Sequence, residues 1–379
     1  MSKFSTSFFL PAILILIMSN SSLYSQKRVR DFGIEIGIFS PGEFNSITDV
    51  PGVTVGHKTI IEGSHIRTGV TAIIPHQGNI FANKVPAAIY AGNGFGKLAG
   101  YTQVKELGNI ETPIILTNTL SISPGLDALI SYTLTQDGNE NIGSVNGVVG
   151  ETNDGGLNDI RARVITPSDV LDAIASATTG PVKEGGVGAG TGTICFGFKG
   201  GIGTSSRVLP ESLGGYTVGV LVQSNYGGVL EIAGVPIGKI LGKHSFKEHV
   251  DITPDGSCMM VVITNAPITS RNLERVAKRA MMGLAKTGGI ASNGSGDYVI
   301  ALSVAKENLI DESASFYNPK ELHNHSMSAL FLATIEATEE ALINSLFMSQ
   351  TTTGFKGRTV EQLPIKQVVK EIKKYKYIK

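Results

Sequence analysis

The stretch Asp251-Ile-Thr-Pro-Asp-Gly-Ser-Cys-Met-Met-Val-Val-Ile-Thr264 joins a turn to a strand without a gap. Pro254-Asp-Gly256 is typical of a turn, and the apolar run after it predicts a buried strand over Cys258–Thr264. Ser257 stands at the junction, and the glycine before it leaves its own carbonyl open to close approach. Attack by the Ser257 hydroxyl on that carbonyl would cut the chain and leave a serine whose free amine lies beside its nucleophile. The same residues are also typical of an ordinary turn entering a strand, so the rest of the chain must decide.

The N-terminus has the three parts of a secretory signal. Met1-Ser-Lys3 is positively charged, Phe8–Met18 is apolar, and Ser19–Ser25 is small and polar. The apolar run is too short for a comfortable membrane span. A buried N-terminal helix is the alternative, but the charged Gln26-Lys-Arg-Val-Arg30 that follows disfavours it. We therefore expect residues 1–25 to be removed and the mature protein to be periplasmic or secreted, without membrane attachment.

The composition is typical of a globular protein with a large hydrophobic core. The 379 residues carry 32 basic and 32 acidic groups, so no basic surplus indicates a nucleic-acid partner. Glycine is abundant, at 46 residues, yet 41% of the chain is hydrophobic. The two cysteines, Cys195 and Cys258, both lie in apolar runs. We interpret them as small core residues rather than as a disulfide.

Strands and helices interleave without the strict alternation of a doubly wound sheet. No linker, charge block or repeat interrupts the chain between residues 30 and 350, which favours one domain over residues 26–379. Apolar strands flanked by amphipathic helices predict an α/β fold with sheets sandwiched between helix layers. The predicted strands are Gly52–Val55, Val70–Ile74, Val85–Tyr90, Ile114–Leu116, Thr193–Phe198, Thr217–Gln223, Cys258–Thr264 and Tyr298–Val304. The predicted helices are Pro124–Thr135, Pro167–Ala177, Asn272–Lys286, Ser326–Phe347 and Glu361–Tyr375.

A glycine-rich motif suggests one alternative function. Gly94-Phe-Gly-Lys-Leu-Ala99 follows a predicted strand and precedes a helix-like segment, Leu98–Leu107, as in a dinucleotide fold. The next strand ends in Thr117-Asn-Thr119, without the acidic residue that would hold a ribose. The motif is therefore more typical of a tight turn that allows close packing than of a nucleotide site. A nucleotide-dependent enzyme is the less favoured hypothesis.

The sequence gives no reason to expect a metal or another cofactor. The seven histidines are scattered, and His323-Asn-His325 is the only close pair. Neither H-E-x-x-H nor G-x-S-x-G occurs.

Three polar segments carry the remaining chemistry. The acidic segment Glu151–Asp159 contains two glycines, which predicts a loop. Asn225 follows an apolar strand. Ser292–Asp297 is a glycine-rich loop that places Ser295 and Asp297 on one side. Each segment alone is compatible with an ordinary loop. Together with Ser257 they supply a nucleophile, an oxyanion donor, a proton relay and an anionic anchor.

Long runs of this sequence resemble the L-aminopeptidase/D-amidase-esterase family of self-processing serine aminopeptidases, which includes the β-peptidyl aminopeptidases. The resemblance covers nearly all of the chain after residue 44 and is far more specific than any single motif above. The matching segments are Asn45–His57, Thr68–His76, Asn93–Lys97, Thr117–Leu120, Gly150–Asp154, Leu157–Ile160, Gly188–Gly192, Cys195–Gly203, Asp255–Ser257 and Ser295–Asp297.

The resemblance implies a self-cleaving chain. Cleavage between Gly256 and Ser257 would give an α subunit, residues 26–256, and a β subunit, residues 257–379, which stay associated. The implied fold is a four-layer α/β/β/α sandwich, similar to N-terminal-nucleophile hydrolases but differently connected. The implied assembly is a homo-oligomer of αβ units, such as a tetramer.

The resemblance also implies roles for individual residues. Ser257 corresponds to the nucleophile, and Asn225 to the oxyanion residue. Ser295 and Asp297 correspond to the pair that supports the nucleophile, and Glu151 to the carboxylate that receives the substrate amine. Some members carry a tyrosine near that carboxylate where this chain has Asn153, which leaves open how the substrate is held there.

The implied activity is release of N-terminal residues from short peptides, amino-acid amides or esters through an acyl-enzyme. A free Ser257 amine has an unperturbed pKa of about 7.7–8, which suits a general base near neutrality. The Ser295–Asp297 pair is the other candidate base. An acyltransferase of similar architecture is the main alternative function. The preference for L-, D- or β-residues stays open.

Overall fold

The computed structural model describes residues 26–247 and 256–376. The predicted signal segment and the Pro254-Asp255 part of the turn lie outside the described residues. In chain order the strands are β1 (Thr54–Glu62), β2 (Ile66–Ile74), β3 (Asn83–Gly94), β4 (Leu98–Ala99), β5 (Asn109–Ile110), β6 (Ile114–Asn118), β7 (Val148–Thr152), β8 (Ile194–Cys195), β9 (Phe198–Lys199), β10 (Gly201–Val208), β11 (Thr217–Asn225), β12 (Ser257–Thr264), β13 (Gly296–Ser303), β14 (Ile310–Asp311), β15 (Thr352–Thr353) and β16 (Thr359–Val360). The helices are α1 (Tyr101–Leu107), α2 (Ile122–Leu134), α3 (Pro167–Ala175), α4 (Ile237–Ile240), α5 (Ser270–Lys286), α6 (Met327–Phe347) and α7 (Ile365–Lys376).

Two sheets form the centre of the molecule. The first has the order β1-β2-β6-β7-β4, and the second has β10-β11-β12-β13-β3-β14, with β5 paired to β3. The pairs β6–β7 and β12–β13 are parallel, and the other pairs in these sheets are antiparallel. Each sheet is therefore mixed, which separates this fold from a doubly wound one.

Three hydrophobic clusters define four layers. One cluster lies between the sheets and contains Leu116 of the first sheet and Val261 of the second. A second joins the outer face of the second sheet to α5, α6 and α7. A third joins the outer face of the first sheet to α2 and α3. The α/β/β/α sandwich is confirmed, and it buries every residue of β11, β12 and β13 because both faces of the second sheet are covered.

Most predicted elements are present, with ends shifted by up to four residues. The strand predicted over Gly52–Val55 is the exception, because β1 begins at Thr54 and continues to Glu62. The helix predicted from Pro167 is present and capped at its N-terminus, because the Thr166 side chain accepts from the backbone N–H of Asp169. On α5, Glu274 and Lys278 are four residues apart and form an ion pair at 3.1 Å.

The single strand predicted over Thr193–Phe198 is wrong. The chain instead makes a short hairpin of β8 and β9, whose turn residues Phe196 and Gly197 have φ values of 51° and 74°. Two consecutive positive φ angles are typical of a tight hairpin turn. Apolar β-forming residues hid this turn, since the sequence there lacks the usual asparagine or aspartate.

The helix predicted over Leu98–Leu107 is also partly wrong. Leu98 and Ala99 form β4, which pairs with β7, and α1 begins only at Tyr101. Glu151 was predicted in an irregular loop, but it belongs to β7 and is 2% exposed.

A buried ion network attaches helix α6 to β10. Arg207 is fully buried, and its guanidinium lies 3.2 Å from Glu336 Oε2 and 2.7 Å from Glu340 Oε2. Arg30 adds a bond of 2.8 Å to the other Glu340 oxygen. Such buried charges are tolerated only when they are paired and hydrogen-bonded, so this network fixes the position of α6 on the sheet.

Helix α6 also approaches β10 too closely for a side chain at Gly203. A Cβ at this position would lie 1.9 Å from the Ala341 carbonyl oxygen and 2.7 Å from the Ser345 nitrogen. We predict that Gly203→Ala lowers the free energy of unfolding by about 3 kcal/mol, because α6 must move off the sheet.

Chemical or thermal unfolding measures this effect. The matched control is Gly143→Ala, where a Cβ meets nothing within 4 Å and the backbone has no positive φ. Equal stability of the two variants would contradict the close packing of α6 on β10.

Candidate active site

One row of residues crosses four strands of the second sheet. Asn225 at the end of β11 is the register partner of Ser257, which begins β12. Ser257 is in turn the partner of Gly296 on β13, and Gly296 is the partner of Gly94 on β3. We call these four residues the cross-sheet row. The row brings the predicted nucleophile and the predicted oxyanion residue side by side.

The Ser257 hydroxyl lies against the carbonyl of the preceding residue. Its Oγ donates to Gly256 O at 2.6 Å. The backbone N–H of Gly296 also donates to Gly256 O, at 3.2 Å, and lies 3.3 Å from Ser257 Oγ. The Gly256 carbonyl is thus polarised by a second donor on the neighbouring strand, which favours nucleophilic attack on its carbon.

Two glycines make this close approach possible. A Cβ at Gly256 would lie 2.6 Å from Tyr226 Cα and 2.7 Å from Asn225 O. A Cβ at Gly296 would lie 2.6 Å from Phe95 O and 3.3 Å from Ser257 Oγ. Any side chain at either position would displace the strands around the hydroxyl.

The Asn225 amide is fixed at both ends. Its Oδ1 accepts from Ile194 N at 2.9 Å, and its Nδ2 donates to Asn153 O at 3.1 Å. These two partners define the orientation of the amide and use one of its two Nδ2 hydrogens. The second hydrogen is the one that Asn225 can offer to another acceptor.

The Asn153 carbonyl, which accepts from Asn225, belongs to a loop that the buried Asp154 holds in place. Asp154 is buried, and its carboxyl accepts from Thr68 Oγ1 at 2.5 Å and from Asn158 Nδ2 at 3.0 Å. Burial raises the pKa of Asp154 to about 7, although these hydrogen bonds oppose the rise. The exposed Asn153 side chain accepts from Gly155 N at 2.9 Å and closes the loop.

Ser295 and Asp297 form the predicted pair. The Ser295 hydroxyl donates to Asp297 Oδ1 at 2.9 Å, and both side chains are buried. Burial raises the pKa of Asp297 to about 6, and the hydrogen bond from Ser295 partly opposes this. Asp297 Oδ2 is buried and has no hydrogen-bond partner among the described residues, so the pair retains a free acceptor.

Glu151 presents its carboxylate near the cross-sheet row. Oε1 accepts from Lys97 N at 3.0 Å and lies 3.6 Å from Lys97 Nζ, and Oε2 accepts from Thr119 Oγ1. A Cβ at Gly96 would lie 3.1 Å from Glu151 Oε1 and 3.6 Å from Gly296 Cα. Gly96 therefore leaves open the space between the carboxylate and the row.

A pocket of about 520 Å³ adjoins this carboxylate. Its wall includes Lys97 and Tyr298, whose hydroxyl donates to Gly96 O at 3.2 Å. The pocket is mostly apolar and is lined by Ala91, Gly94, Gly96, Lys97, Leu98, Ala99, Tyr101, Ile122 and Tyr298. Much of the Gly94–Ala99 motif thus forms a pocket wall at the end of β3.

The residues singled out from the sequence meet at one end of the sandwich. Ser257 and Asn225 lie on adjacent strands, and the Ser295–Asp297 pair lies at the start of the next one. Gly96 lies between the Glu151 carboxylate and Gly296. Sequence reasoning missed the contacts of Lys97, Thr119 and Tyr298, which no spacing pattern links to Glu151. The only signal for Lys97 and Thr119 in the sequence is that they lie in two of the segments that resemble the family, Asn93–Lys97 and Thr117–Leu120.

Other site classes receive little support from the described residues. Residues 26–247 and 256–376 contain no group of three or more histidine, cysteine or acidic side chains placed to hold a metal ion. In the same ranges no helix is long and apolar enough to cross a membrane. Cys195 and Cys258 are both buried and unpaired with each other.

This layered fold, with a buried serine at the start of a central strand, is that of a hydrolase. The solved L-aminopeptidase D-Ala-esterase/amidase from Ochrobactrum anthropi, described as a prototype for the serine aminopeptidases and a variant of the Ntn hydrolase fold, has a TM-score of 0.85. It is 33% identical and covers 92% of this chain and 98% of its own. A Burkholderia sp. beta-aminopeptidase also has a TM-score of 0.85, with 40% identity over 92% of this chain and 99% of its own.

Sequence comparison agrees with the structures. The chain is 37% identical to the beta-peptidyl aminopeptidase BapA of Sphingosinicella microcystinivorans over 97% of both proteins. Residues 45–360 match Peptidase family S58. The chain belongs to Peptidase family S58, and it is a serine aminopeptidase/amidase.

The raised pKa of Asp297 generates a prediction about pH. If the Ser295–Asp297 pair must be ionised, the kcat/KM of an aminoacyl p-nitroanilide falls as pH drops through about 6. We predict that Asp297→Asn removes this acidic limb, because asparagine does not titrate.

The variant should remain folded above pH 6. The native carboxyl keeps its proton up to about pH 6, above the ordinary value of 3.8, so its ionisation costs stability at higher pH. Asparagine avoids that cost. A pH profile of Asp297→Asn identical to that of the wild type would exclude the pair from the titration.

Proposed function

We propose that this protein is a self-processing serine aminopeptidase that releases N-terminal residues through an acyl-enzyme on Ser257. The observation that carries the proposal is the contact of Ser257 Oγ with Gly256 O beside the Gly296 N–H. Substrates are short peptides, amino-acid amides or esters with a free amine. The names of the beta-aminopeptidase relatives support inclusion of β-residues among them.

The processing step is an N→O acyl shift followed by hydrolysis. Ser257 Oγ bonds to the Gly256 carbonyl carbon, the carbon–nitrogen bond breaks, and the hydroxyl proton goes to the released nitrogen. The resulting ester between Gly256 and Ser257 is opened by water. The products are a carboxylate on Gly256 and a Ser257 with a free hydroxyl and a free amine.

The strand order explains why the two fragments stay together. Strands β12 and β13 belong to residues 257–379, yet they lie between β11 and β3 of residues 26–256. The Arg207 network adds ion pairs between the fragments, because Glu336 and Glu340 lie on α6. Separation would break the β11–β12 and β13–β3 pairings of a central sheet and leave buried charges unpaired.

Turnover then uses the groups around the new N-terminus. Glu151 receives the substrate ammonium, and Ser257 Oγ attacks the carbonyl carbon of the N-terminal residue. Asn225 Nδ2 and the Gly296 N–H donate to the developing oxyanion, a kind of donor whose loss typically costs about 10²–10³ in rate. The Ser257 amine or the Ser295–Asp297 pair takes the hydroxyl proton and passes it to the leaving amine. Water then releases the acyl group.

The rival functions have weaker support. An acyltransferase would need a site for an acyl acceptor, and no residue singled out from the sequence has that role. A nucleotide-dependent enzyme would need the Gly94–Ala99 turn to bind phosphate groups. This turn instead borders the negatively charged Glu151 carboxylate. We further propose export after removal of residues 1–25, and assembly of αβ units into a homo-oligomer such as a tetramer.

Processing is tested by mass and activity together. We predict that wild-type protein from its native cell gives two fragments, one from near Gln26 to Gly256 and one from Ser257 to Lys379. Ser257→Ala should give one uncut chain without peptidase activity, because no hydroxyl is present to attack.

Ser257→Cys is the informative companion, since a thiol can make the same shift and should still cut the chain. Equal oligomer size by light scattering shows that the alanine variant is folded. Wild-type protein that stays uncut yet hydrolyses aminoacyl amides would exclude the terminal-nucleophile mechanism.

Glu151 is tested separately from processing. We predict that Glu151→Gln lowers kcat/KM for aminoacyl p-nitroanilides about 10- to 100-fold, mainly through KM, because a charge-assisted hydrogen bond to the substrate ammonium is lost. Self-cleavage involves no free amine and should proceed at the wild-type rate.

The exposed Glu62→Gln is the matched control and should change neither activity. A parallel loss of processing and peptidase activity in Glu151→Gln would make Glu151 a structural residue of β7 instead of an amine anchor.

A further inference from the structure

A buried glutamine lies between the two sheets close to the site. Gln223 is on β11, two residues before Asn225, and it is fully buried. Its Nε2 donates to Thr117 O at 3.0 Å and to Ala189 O at 2.9 Å. Its Oε1 is buried and has no hydrogen-bond partner among the described residues. A buried polar group with one unsatisfied atom is costly, which indicates a specific positional role.

One of the two bonds of Gln223, the bond to Thr117 O, connects the two sheets that carry the two halves of the site, and the other goes to a short 3-10 helix, Gly188–Gly190. On its own strand it is followed by Asn225, and its register partner Met259 is two residues after Ser257. On the other sheet Thr117 is the register partner of Glu151 in the parallel β6–β7 pair. The carboxamide is therefore a direct link between the strand next to the nucleophile and the strand next to the carboxylate.

We infer that Gln223 is a positioning residue that fixes the separation between Glu151 and Ser257 and so sets the length of aminoacyl group the enzyme accepts. The inference rests on the proposed function, in which Glu151 holds the substrate amine and Ser257 attacks its carbonyl. The side chain touches neither substrate nor reacting atoms. It acts through the distance between two strands.

Aminoacyl groups differ in the length that this separation controls. An α-aminoacyl group has one carbon between its nitrogen and its carbonyl carbon, and a β-aminoacyl group has two. Each added carbon lengthens the path by about 1.5 Å. An active site that is displaced by about 1 Å loses much of its rate, so a fixed separation discriminates between the classes. When the Gln223 hydrogen bonds are removed, the two sheets can move apart at this end. The kcat/KM for longer aminoacyl groups then rises relative to that for shorter ones.

The test compares three unsubstituted substrates that differ only in length: glycyl, β-alanyl and 4-aminobutyryl p-nitroanilide. Gln223→Met keeps the length of the side chain and removes both hydrogen bonds. We expect the ratio of kcat/KM for each longer substrate to that for the next shorter one to rise about tenfold, the equivalent of one to two hydrogen bonds. Rates are normalised to the processed fraction of each preparation, so that slower self-cleavage does not enter the ratio.

Asn344→Leu is the matched control. Asn344 is another fully buried carboxamide, which accepts from Val29 N at 3.2 Å and donates to Thr204 O at 3.1 Å on the helix side of the second sheet. It should lower stability without changing the ratios. Equal losses for all three substrates in Gln223→Met, or a shift toward the shorter ones, would overturn the inference. Wild-type protein that hydrolyses none of the three would instead count against the proposed function.

Discussion

The register of β12 between its neighbours is the constraint on which the site depends. Because side chains alternate between the faces of a strand, a slip by one residue would turn Ser257 and Asn225 to opposite sides of the sheet. Burial prevents such a slip. Met259 and Val261 pack between the sheets, whereas Cys258 and Met260 pack against the helices, so both faces of β12 are specified by apolar contacts. A strand with one solvated face would hold its register less firmly.

The site end of the sandwich contrasts with this apolar centre because it contains buried ionisable groups. Lys199 donates to Gly190 O at 2.8 Å and to Gly200 O at 2.7 Å, and burial lowers its pKa to about 7. Asp154 lies in the hydrogen-bond network beneath the loop that holds Asn225. Such groups reduce stability relative to an apolar core, and they remain only where hydrogen bonds satisfy them. The bonds of Lys199 fix two backbone carbonyls that apolar packing could not orient.

The layered fold could be predicted from the sequence because the strongest signals for its strands and helices are local. The apolar run Cys258–Thr264 and the capped helix from Pro167 follow from periodicity and capping alone. The strand Gly201–Val208 escaped notice because its polar residues are buried through bonds to distant groups, such as Ser206 Oγ to Asp49 at 2.6 Å. The same limit applies to the site. Ser257, Asn225, Ser295, Asp297 and Glu151 could be singled out, but the positions of Lys97, Thr119 and Gln223 depend on the pairing of the two sheets.

The geometry around Gly296 links the two proposed reactions. In the uncut chain its N–H donates to the carbonyl of Gly256, the group that self-cleavage attacks. In the proposed processing step that carbonyl leaves, and the same N–H and the same hydroxyl lose this partner. In the proposed mechanism a substrate carbonyl then occupies the position that the chain itself vacated. Self-cleavage therefore requires only the cross-sheet row, whereas turnover also requires the carboxylate on the other sheet. In this mechanism the separation between the sheets acts on substrate choice, because only turnover uses groups from both sheets.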